Sequence, residues 1–172
     1  LATPESKGRT AVCFSEIDPN VAFIHYLGTD SYFGSLWKST DAGESWALVD
    51  EVDDNTPTMM GGFGWFFGRI AYLVDPEDGQ EKLYLCGVDL WTYDEEIDEW
   101  SRATPPWWEY SVHADKHAIL TDSEGNILLG TDGGLYRFLE SGQWEDIENI
   151  PNNMFYRTEY NPHEPSQFYG GM

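Results

Sequence analysis

The sequence predicts an all-β protein, and more closely a β-propeller built from four-stranded antiparallel blades. Helix-period patterning is nearly absent from the 172 residues, whereas short runs rich in Val, Ile, Tyr, Phe and Trp recur between clusters of Gly, Asp, Asn and Pro. Three stretches also align as an internal repeat that closes on a tryptophan, at Trp46, Trp100 and Trp144. These tryptophans recur after 54 and then 44 residues, a spacing close to that of propeller blades.

The three repeats share one order of parts. Each holds a hydrophobic strand that ends in Gly, then an Asp, then an apolar residue followed by an aromatic one, then a turn that the tryptophan closes. The apolar-aromatic pairs are Leu36-Trp37, Leu90-Trp91 and Leu135-Tyr136. A further strand with its own turn precedes each repeat, in CFSEIDPN, RIAYLVDPEDG and HAILTDSEGN. Each blade therefore has four strands, which we label A to D in chain order.

The predicted blades span 9–50, 69–103 and 117–148, and half a blade covers 154–172. Two inserts, 51–68 and 104–116, join successive blades. Three and a half blades are too few to close a ring. Residues 1–172 are therefore expected to be part of a larger propeller, in which the remaining blades or another chain cover the open sheet edges.

The composition argues against two classes of partner. With 31 acidic and 9 basic residues, the net charge of -22 repels phosphate backbones and anionic membranes, so we expect no nucleic acid and no membrane insertion. No stretch approaches the roughly 18 apolar residues of a membrane span. Cys13 and Cys86 lie in apolar strand-like runs, where they would allow one disulfide without indicating one.

The stretch STDAGESW, residues 39–46, matches the Asp-box pattern Ser-x-Asp-x-Gly-x-Ser/Thr-Trp. The matching residues are Ser39, Asp41, Gly43, Ser45 and Trp46, whereas TYDEEIDEW and FLESGQW in the other repeats depart from the pattern. An Asp carboxylate accepts hydrogen bonds from the N–H groups that follow it, Gly takes positive φ at little cost, and Trp covers the hairpin. We interpret the box as a structural turn.

Four further stretches extend the likeness over nearly the whole chain: GFGWFFGRIAYLVDP, VHADKHAILTD, LLGTDGGLYRF and FYRTEYNPHEPSQFYGGM. With the box, they make the chain resemble the Asp-box (BNR-repeat) β-propellers, a family of sortilin-like and sialidase-like glycosyl-hydrolase repeat proteins. The resemblance implies the propeller fold and an extracellular or cell-surface location. One propeller scaffold hosts many functions, so the function has to be sought in particular residues.

The direction of the strands divides the loops between two faces. Because neighbouring strands are antiparallel, A–B and C–D turns lie on one face, the turn face, which carries the Asp box. The B–C loops and the inserts between blades lie on the opposite face, the loop face, where we look for function.

Each B–C loop holds an aspartate, and we predict Asp30 and Asp89 as ligand contacts. GTDGGLYRF is similar to the segment that holds a catalytic Asp in xyloglucanase-type propeller glycosidases, which implies that role for Asp132. Inverting hydrolysis of a glycosidic bond needs two carboxyl groups, one as acid and one as base. The alternative role for Asp132 is to cap the Gly-Gly turn.

The stretch VHADKHA places His113, Asp115 and His117 at alternate positions, so in extended chain their side chains point the same way. Two imidazoles and a carboxylate on one side would suit a divalent metal ion. The alternative is a hydrogen-bond network that pins the blade, with each His bonded to Asp or backbone.

The inserts are rich in aromatic residues, in GGFGWFFG and PPWWEY. We predict Trp65, Trp107 and Trp108 as ligand contacts, because exposed rings hold sugar rings and peptide side chains. The alternative is that these rings pack between blades.

The leading hypothesis is part of a secreted Asp-box propeller that binds a polysaccharide or protein ligand on its loop face. The runner-up is a fragment of an inverting, xyloglucanase-like glycoside hydrolase, with Asp132 as one carboxylate and its partner on further blades. A third hypothesis is a purely structural repeat of a large surface protein. A sialidase would need three converging arginines, but Arg9, Arg69 and Arg157 stand at unequal offsets from the A–B turns.

Overall fold

The computed structural model describes residues 8–148 and 157–171, and it has the all-β architecture that the repeats predict. Three four-stranded antiparallel sheets follow one another along the chain, each with its strands in chain order, and a two-stranded hairpin comes after them. Among the described residues the only helical segment is a 3-10 turn at Trp107–Glu109. The predicted β-propeller fold of four-stranded blades is confirmed.

The strands have the following bounds. Blade 1 contains β1 (Thr10–Phe14), β2 (Ala22–Leu27), β3 (Phe33–Ser39) and β4 (Ala47–Glu51). Blade 2 contains β5 (Ile70–Val74), β6 (Glu81–Cys86), β7 (Leu90–Asp94) and β8 (Glu99–Arg102). Blade 3 contains β9 (Lys116–Thr121), β10 (Ile127–Thr131), β11 (Gly134–Phe138) and β12 (Trp144–Asp146). The last hairpin pairs β13 (Arg157–Asn161) with β14 (Glu164–Gly171), and residues 154–156 and 172 of the predicted half blade lie outside the described residues.

The core lies in two seams between successive blades. In the first seam, Phe23 and Phe33 of blade 1 pack in one buried cluster with Leu83 and Leu85 of blade 2. In the second seam, Tyr84 and Cys86 of blade 2 pack in another cluster with Ile127, Leu129 and Phe138 of blade 3. Blade 2 is therefore covered on both faces, which explains why the last four residues of β6, 83–86, are all buried rather than alternately buried and exposed.

The first strand of each blade lies nearest its neighbours in the other blades. β1 contacts β5, and β5 contacts β9. Side chains at the loop-face end of these strands, such as His117 on β9, can therefore meet residues of more than one blade.

The Asp box forms a closed set of hydrogen bonds between β3 and β4. The buried hydroxyl of Ser39 accepts a bond from the N–H of Gly43 (2.9 Å) and donates to Asp41 Oδ1 (2.8 Å). The Asp41 carboxylate also accepts bonds from the N–H (2.9 Å) and the hydroxyl (2.5 Å) of Ser45. Trp46 Nε1 donates to the carbonyl of Gly43 (3.0 Å), whose φ of 91° is one that glycine adopts readily.

The Asp box also has a lowered carboxyl pKa and a contact with the neighbouring turn. The bonds from Ser45, followed by that from Ser39, lower the pKa of Asp41 to about 2. The N–H of Ala42 donates to the carbonyl of Asn20 in the A–B turn (2.9 Å), so both turns of blade 1 lie on one face.

The equivalent turn of blade 2 is closed in a different way. Tyr93 Oη donates a short hydrogen bond to Asp98, and Asp98 itself has a positive φ of 57°. Asp94 Oδ1 accepts a bond from the N–H of Glu96 (2.8 Å). The sequence departure from the Asp box thus corresponds to a different set of contacts in the same kind of hairpin.

Cys13 and Cys86 are both free thiols, so they do not form a disulfide. Burial raises the pKa of each to about 12, which keeps both thiols protonated. Within residues 8–148 and 157–171, no helix is long and apolar enough to cross a membrane.

Candidate functional site on the loop face

Backbone hydrogen bonds bring the inserts and the B–C loops together. The N–H of Gly64 donates to the carbonyl of Ser31 (2.9 Å), and the N–H of Val88 donates to that of Met59 (3.2 Å). The N–H of Asp132 donates to the carbonyl of Asp115 (3.3 Å). The loop face is therefore a continuous surface that crosses both seams.

Close packing at the first insert requires glycine. A Cβ atom at Gly64 would lie 2.2 Å from the Leu27 side chain and 2.4 Å from the Ser31 carbonyl oxygen. The neighbouring Trp65 and Phe66 side chains are consequently held at the surface, with 65% and 52% of their area exposed. Of the three neighbouring rings Trp65, Phe66 and Phe67, only Phe67 is buried, as the alternative interpretation of packing between blades predicts.

The second insert also presents its tryptophans to solvent. Trp107 and Trp108 are 44% and 51% exposed, with ring centroids 5.9 Å apart in an edge-to-face arrangement. The guanidinium of Arg102 lies 5.2 Å from the Trp108 ring and 4.6 Å from the buried Trp91 ring. This cation–π stacking supports Trp108 from below and leaves its other side open.

Arg9 holds the backbone of the first insert. Its Nη1 donates to three successive carbonyls, those of Trp65 (3.3 Å), Phe66 (3.0 Å) and Phe67 (3.2 Å). One guanidinium therefore orients the segment that carries the exposed rings.

His117 and Asp132 form a pair beside these rings. His117 Nε2 and Asp132 Oδ1 lie 2.8 Å apart, and the two side chains are 29% and 32% exposed. The Phe66 ring meets the imidazole edge-on at 4.8 Å, and the Phe67 ring lies 5.2 Å from it. Asp132, which begins the loop between β10 and β11, thus bonds to a side chain of the neighbouring strand β9.

His113 and Asp115 are directed differently from His117. The N–H of His113 donates to Tyr136 Oη (3.1 Å), and its Nδ1 lies 2.9 Å from the carbonyl oxygen of Ala114. Asp115 has a positive φ of 65°, which breaks the strict alternation of an extended strand. In the part of the chain that the structure describes, no three His, Cys, Asp or Glu side chains are arranged to ligate a metal ion.

Asp115 is nevertheless electrostatically coupled to the pair. Burial raises its pKa, and the charge of Asp132 raises it further. The loop face therefore holds two neighbouring carboxyl groups in unequal environments.

Asp89 is buried in a network rather than exposed to a ligand. Its Oδ2 accepts a bond from Arg102 Nε (2.8 Å), and its Oδ1 accepts one from the N–H of Trp107 (2.8 Å). The fully buried Lys116 Nζ lies 3.8 Å from Oδ1 and donates to the carbonyl of Val88 (3.0 Å). Asp89 therefore positions the second insert, and its predicted direct contact with a ligand does not fit its burial.

Asp30 shows a third environment for the same repeat position. It is exposed, and its Oδ1 accepts a bond from the N–H of Tyr32 (3.1 Å) in its own loop. The three B–C aspartates thus differ in role although they align in sequence.

Sequence reasoning missed three cationic residues of this face: Arg9, Arg102 and Lys116. Each is one of the 9 basic residues among 31 acidic ones, and that scarcity is the signal that would have pointed to them. A basic side chain in such an acidic protein, above all a buried one, is expected to bond to a particular partner.

Comparisons with known proteins place the chain among β-propellers. No protein-family model and no curated protein matches it. The extracellular domain of the hybrid two component system BT4673 from B. thetaiotaomicron is similar, with 14% identity and a TM-score of 0.56 over 94% of this chain and 20% of that one. The GH74 xyloglucanase from Xanthomonas campestris has 15% identity and a TM-score of 0.53 over 94% of this chain and 26% of that one. A structural genomics protein of unknown function from Bacteroides thetaiotaomicron has 12% identity and a TM-score of 0.51 over 79% of this chain and 34% of that one.

At identities this low the likeness shows the fold alone. The chain spans between a fifth and about a third of the length of these structures. The class of protein that fold and neighbours define is a β-propeller, of which the described residues form three blades and the hairpin of a fourth.

Proposed function

We propose that the loop face binds a neutral polysaccharide, with Trp65, Trp107 and Trp108 as the rings against which sugar units stack. The observation that carries the proposal is the exposure of aromatic side chains from both inserts on one face. Flat rings present apolar area that matches the C–H faces of sugars. The net charge of -22 repels acidic polymers, which favours an uncharged glycan.

The His117–Asp132 pair supplies polar contacts beside the rings. A carboxylate accepts hydrogen bonds at both oxygens, so Asp132 can bond a sugar hydroxyl while Oδ1 keeps His117. Asp89 contributes indirectly, because its bonds to Arg102 and to the N–H of Trp107 hold the second insert in position.

Affinity electrophoresis in gels that contain xyloglucan, mixed-linkage β-glucan or galactomannan tests the proposal. We expect retardation of the wild type and a loss of about tenfold in affinity for Trp107→Ala and for Trp65→Ala, because each removes a stacking surface. The matched control is Phe14→Ala, since Phe14 is 63% exposed but lies at the turn-face end of β1. If none of the gels retards the wild type, the polysaccharide proposal is wrong. The remaining hypotheses are then a protein ligand and a structural role.

Arg9 offers a second test of the same surface. Arg9→Ala frees three carbonyls of the first insert, so we expect weaker polysaccharide binding with little change in the melting temperature. Arg9→Lys should restore part of the affinity, because an ammonium group can still donate to these carbonyls. Equal affinity in all three proteins would show that the insert does not contact the ligand.

The second candidate function is glycoside hydrolysis, and one observation favours it. Asp115 and Asp132 lie close enough to interact, and the pKa of Asp115 is raised by burial and by the charge of Asp132. An inverting glycosidase needs such a pair, with one carboxyl group protonated and the other ionised. In this reading Asp115 is the acid and Asp132 the base, so the partner carboxylate lies in this chain.

Release of reducing sugar from the same neutral polysaccharides measures this activity. We expect Asp132→Asn and Asp115→Asn each to abolish turnover while retaining binding in the gels. Turnover that survives Asp132→Asn removes that residue from the mechanism, and wild type without turnover leaves binding as the function.

A further inference from the structure

The two seams between blades are closed to different extents. In blade 1, Phe23 stands opposite Lys38 in the β2–β3 register. Lys38 Nζ lies 5.2 Å from the Phe23 ring and 2.7 Å from Glu95 of blade 2, so this side chain crosses the first seam. The equivalent pair of blade 2 is Tyr84 and Thr92.

Tyr84 packs against blade 3, but among the described residues neither member of the second pair forms a hydrogen bond or ion pair with that blade. Thr92 is too short, and Tyr84 Oη donates to Asp75 of its own blade (2.7 Å). A groove of about 500 Å³ remains between blades 2 and 3, a volume in the range of small-ligand sites. Phe138 and Trp144 of blade 3 form its aromatic wall, with ring centroids 4.9 Å apart.

Two cations of the groove are already paired, whereas the Glu77 carboxylate, which also lines it, forms no ion pair within the described residues. Lys82 Nζ lies 2.9 Å from Asp75 and 2.7 Å from Asp78. Arg102 Nε lies 2.8 Å from Asp89. An anionic ligand would meet Glu77 and would have to break one of these pairs, whereas the hydroxyl groups of a neutral ligand can donate to Glu77 and leave both pairs intact.

The remaining polar lining consists of groups that both donate and accept hydrogen bonds. They are the hydroxyls of Thr92, Thr104 and Ser111 and the side-chain amide of Gln143. The amide uses one donor on the carbonyl of Gly142 (3.3 Å), which leaves its oxygen and second hydrogen for a ligand. Hydroxyl groups of a ligand are the natural partners of such a lining, and the aromatic wall suits the apolar face of a sugar ring.

We propose that the groove between blades 2 and 3 is a second binding site, which takes one neutral sugar unit. None of its lining residues belongs to the aromatic surface of the loop face, since Trp65, Trp107 and Trp108 are absent from it. The site therefore does not depend on the polysaccharide proposal.

Saturation-transfer NMR of the full chain with methyl β-D-glucopyranoside tests this site. We expect ring-proton signals with the wild type and a reduction of about tenfold or more with Thr92→Lys, which fills the groove as Lys38 fills the first seam. Gln143→Ala should weaken the signals severalfold without filling the groove, which guards against a folding defect in the lysine variant. Phe14→Ala, a turn-face variant outside the groove, should leave the signals unchanged.

Three results would overturn the proposal. The first is a wild type that gives no signal, and the second is a signal that neither Thr92→Lys nor Gln143→Ala reduces. The third is a signal that Trp107→Ala abolishes and both groove variants keep, because the sugar would then be bound on the loop face.

Discussion

Five aspartates of the turn face and two of the loop face bond over very different distances along the chain. On the turn face, Asp18, Asp41, Asp78, Asp94 and Asp122 accept hydrogen bonds from N–H groups two to four residues ahead. On the loop face, Asp89 bonds to groups 13 and 18 residues away, and Asp132 bonds to one 15 residues away. These five turn-face aspartates therefore shape single turns, whereas Asp89 and Asp132 connect separate strands and inserts.

The largest expected effect comes from breaking the loop-face network at Asp89. Asp89→Ala leaves the buried Lys116 ammonium and the Arg102 guanidinium without their carboxylate, so we expect a loss of about 3–5 kcal/mol in the free energy of unfolding. Urea unfolding measures it.

The matched control is Asp30→Ala, at the same repeat position in blade 1. Asp30 is exposed and bonds only to its own loop in the described residues, so the unfolding midpoint should hardly move. Equal losses in the two variants would contradict the division between buried and exposed B–C aspartates.

A smaller effect is expected at the buried hydroxyl of the Asp box. Ser39→Ala removes the acceptor of the Gly43 N–H and the donor to Asp41, which should cost about 1 kcal/mol. The loss should leave polysaccharide binding unchanged, because the box lies on the turn face. Weaker binding in gels at unchanged stability would show that the two faces are wrongly assigned.

The smallest effect concerns the titration of Asp41. Its pKa is held at about 2, below the ordinary value near 3.8, so its ionised form stabilises the native state above about pH 3.8. That contribution is lost as the pH falls through about 2. The difference in unfolding midpoint between wild type and Asp41→Asn should therefore shrink between about pH 5 and about pH 2. A difference that stays constant over this range would mean that the carboxylate is not held by its bonds to Ser45 and Ser39.

The fold could be read from the sequence because it is repeated. Each of the three copies contains a strand, an Asp, an apolar-aromatic pair and a closing tryptophan, and this order fixes the order of the strands. Because neighbouring strands run in opposite directions, every loop is then assigned to one face. The continuous burial of residues 83–86 in β6 is also visible in KLYLC, since a strand covered on both sides has no polar face.

The sequence predicted which types of residue form the candidate site but not the environment of each residue. Trp65, Trp107 and Trp108 were expected at the surface, and their exposure fits that expectation. The different environments of Asp30, Asp89 and Asp132 were not foreseeable, because they depend on partners contributed by other parts of the chain. The strict alternation assumed for His113, Asp115 and His117 fails at the positive φ of Asp115, a local backbone feature that side-chain spacing does not reveal.

Lys38 and Lys116 form different ion pairs in the two seams between blades. Lys38 reaches Glu95 across the first seam, and Lys116 reaches Asp89 across the second, and the two pairs occupy different repeat positions. The two seams between similar blades are thus joined by different ion pairs. Each seam therefore depends on its own lysine, so the loss of either lysine would weaken one contact between blades and leave the other intact.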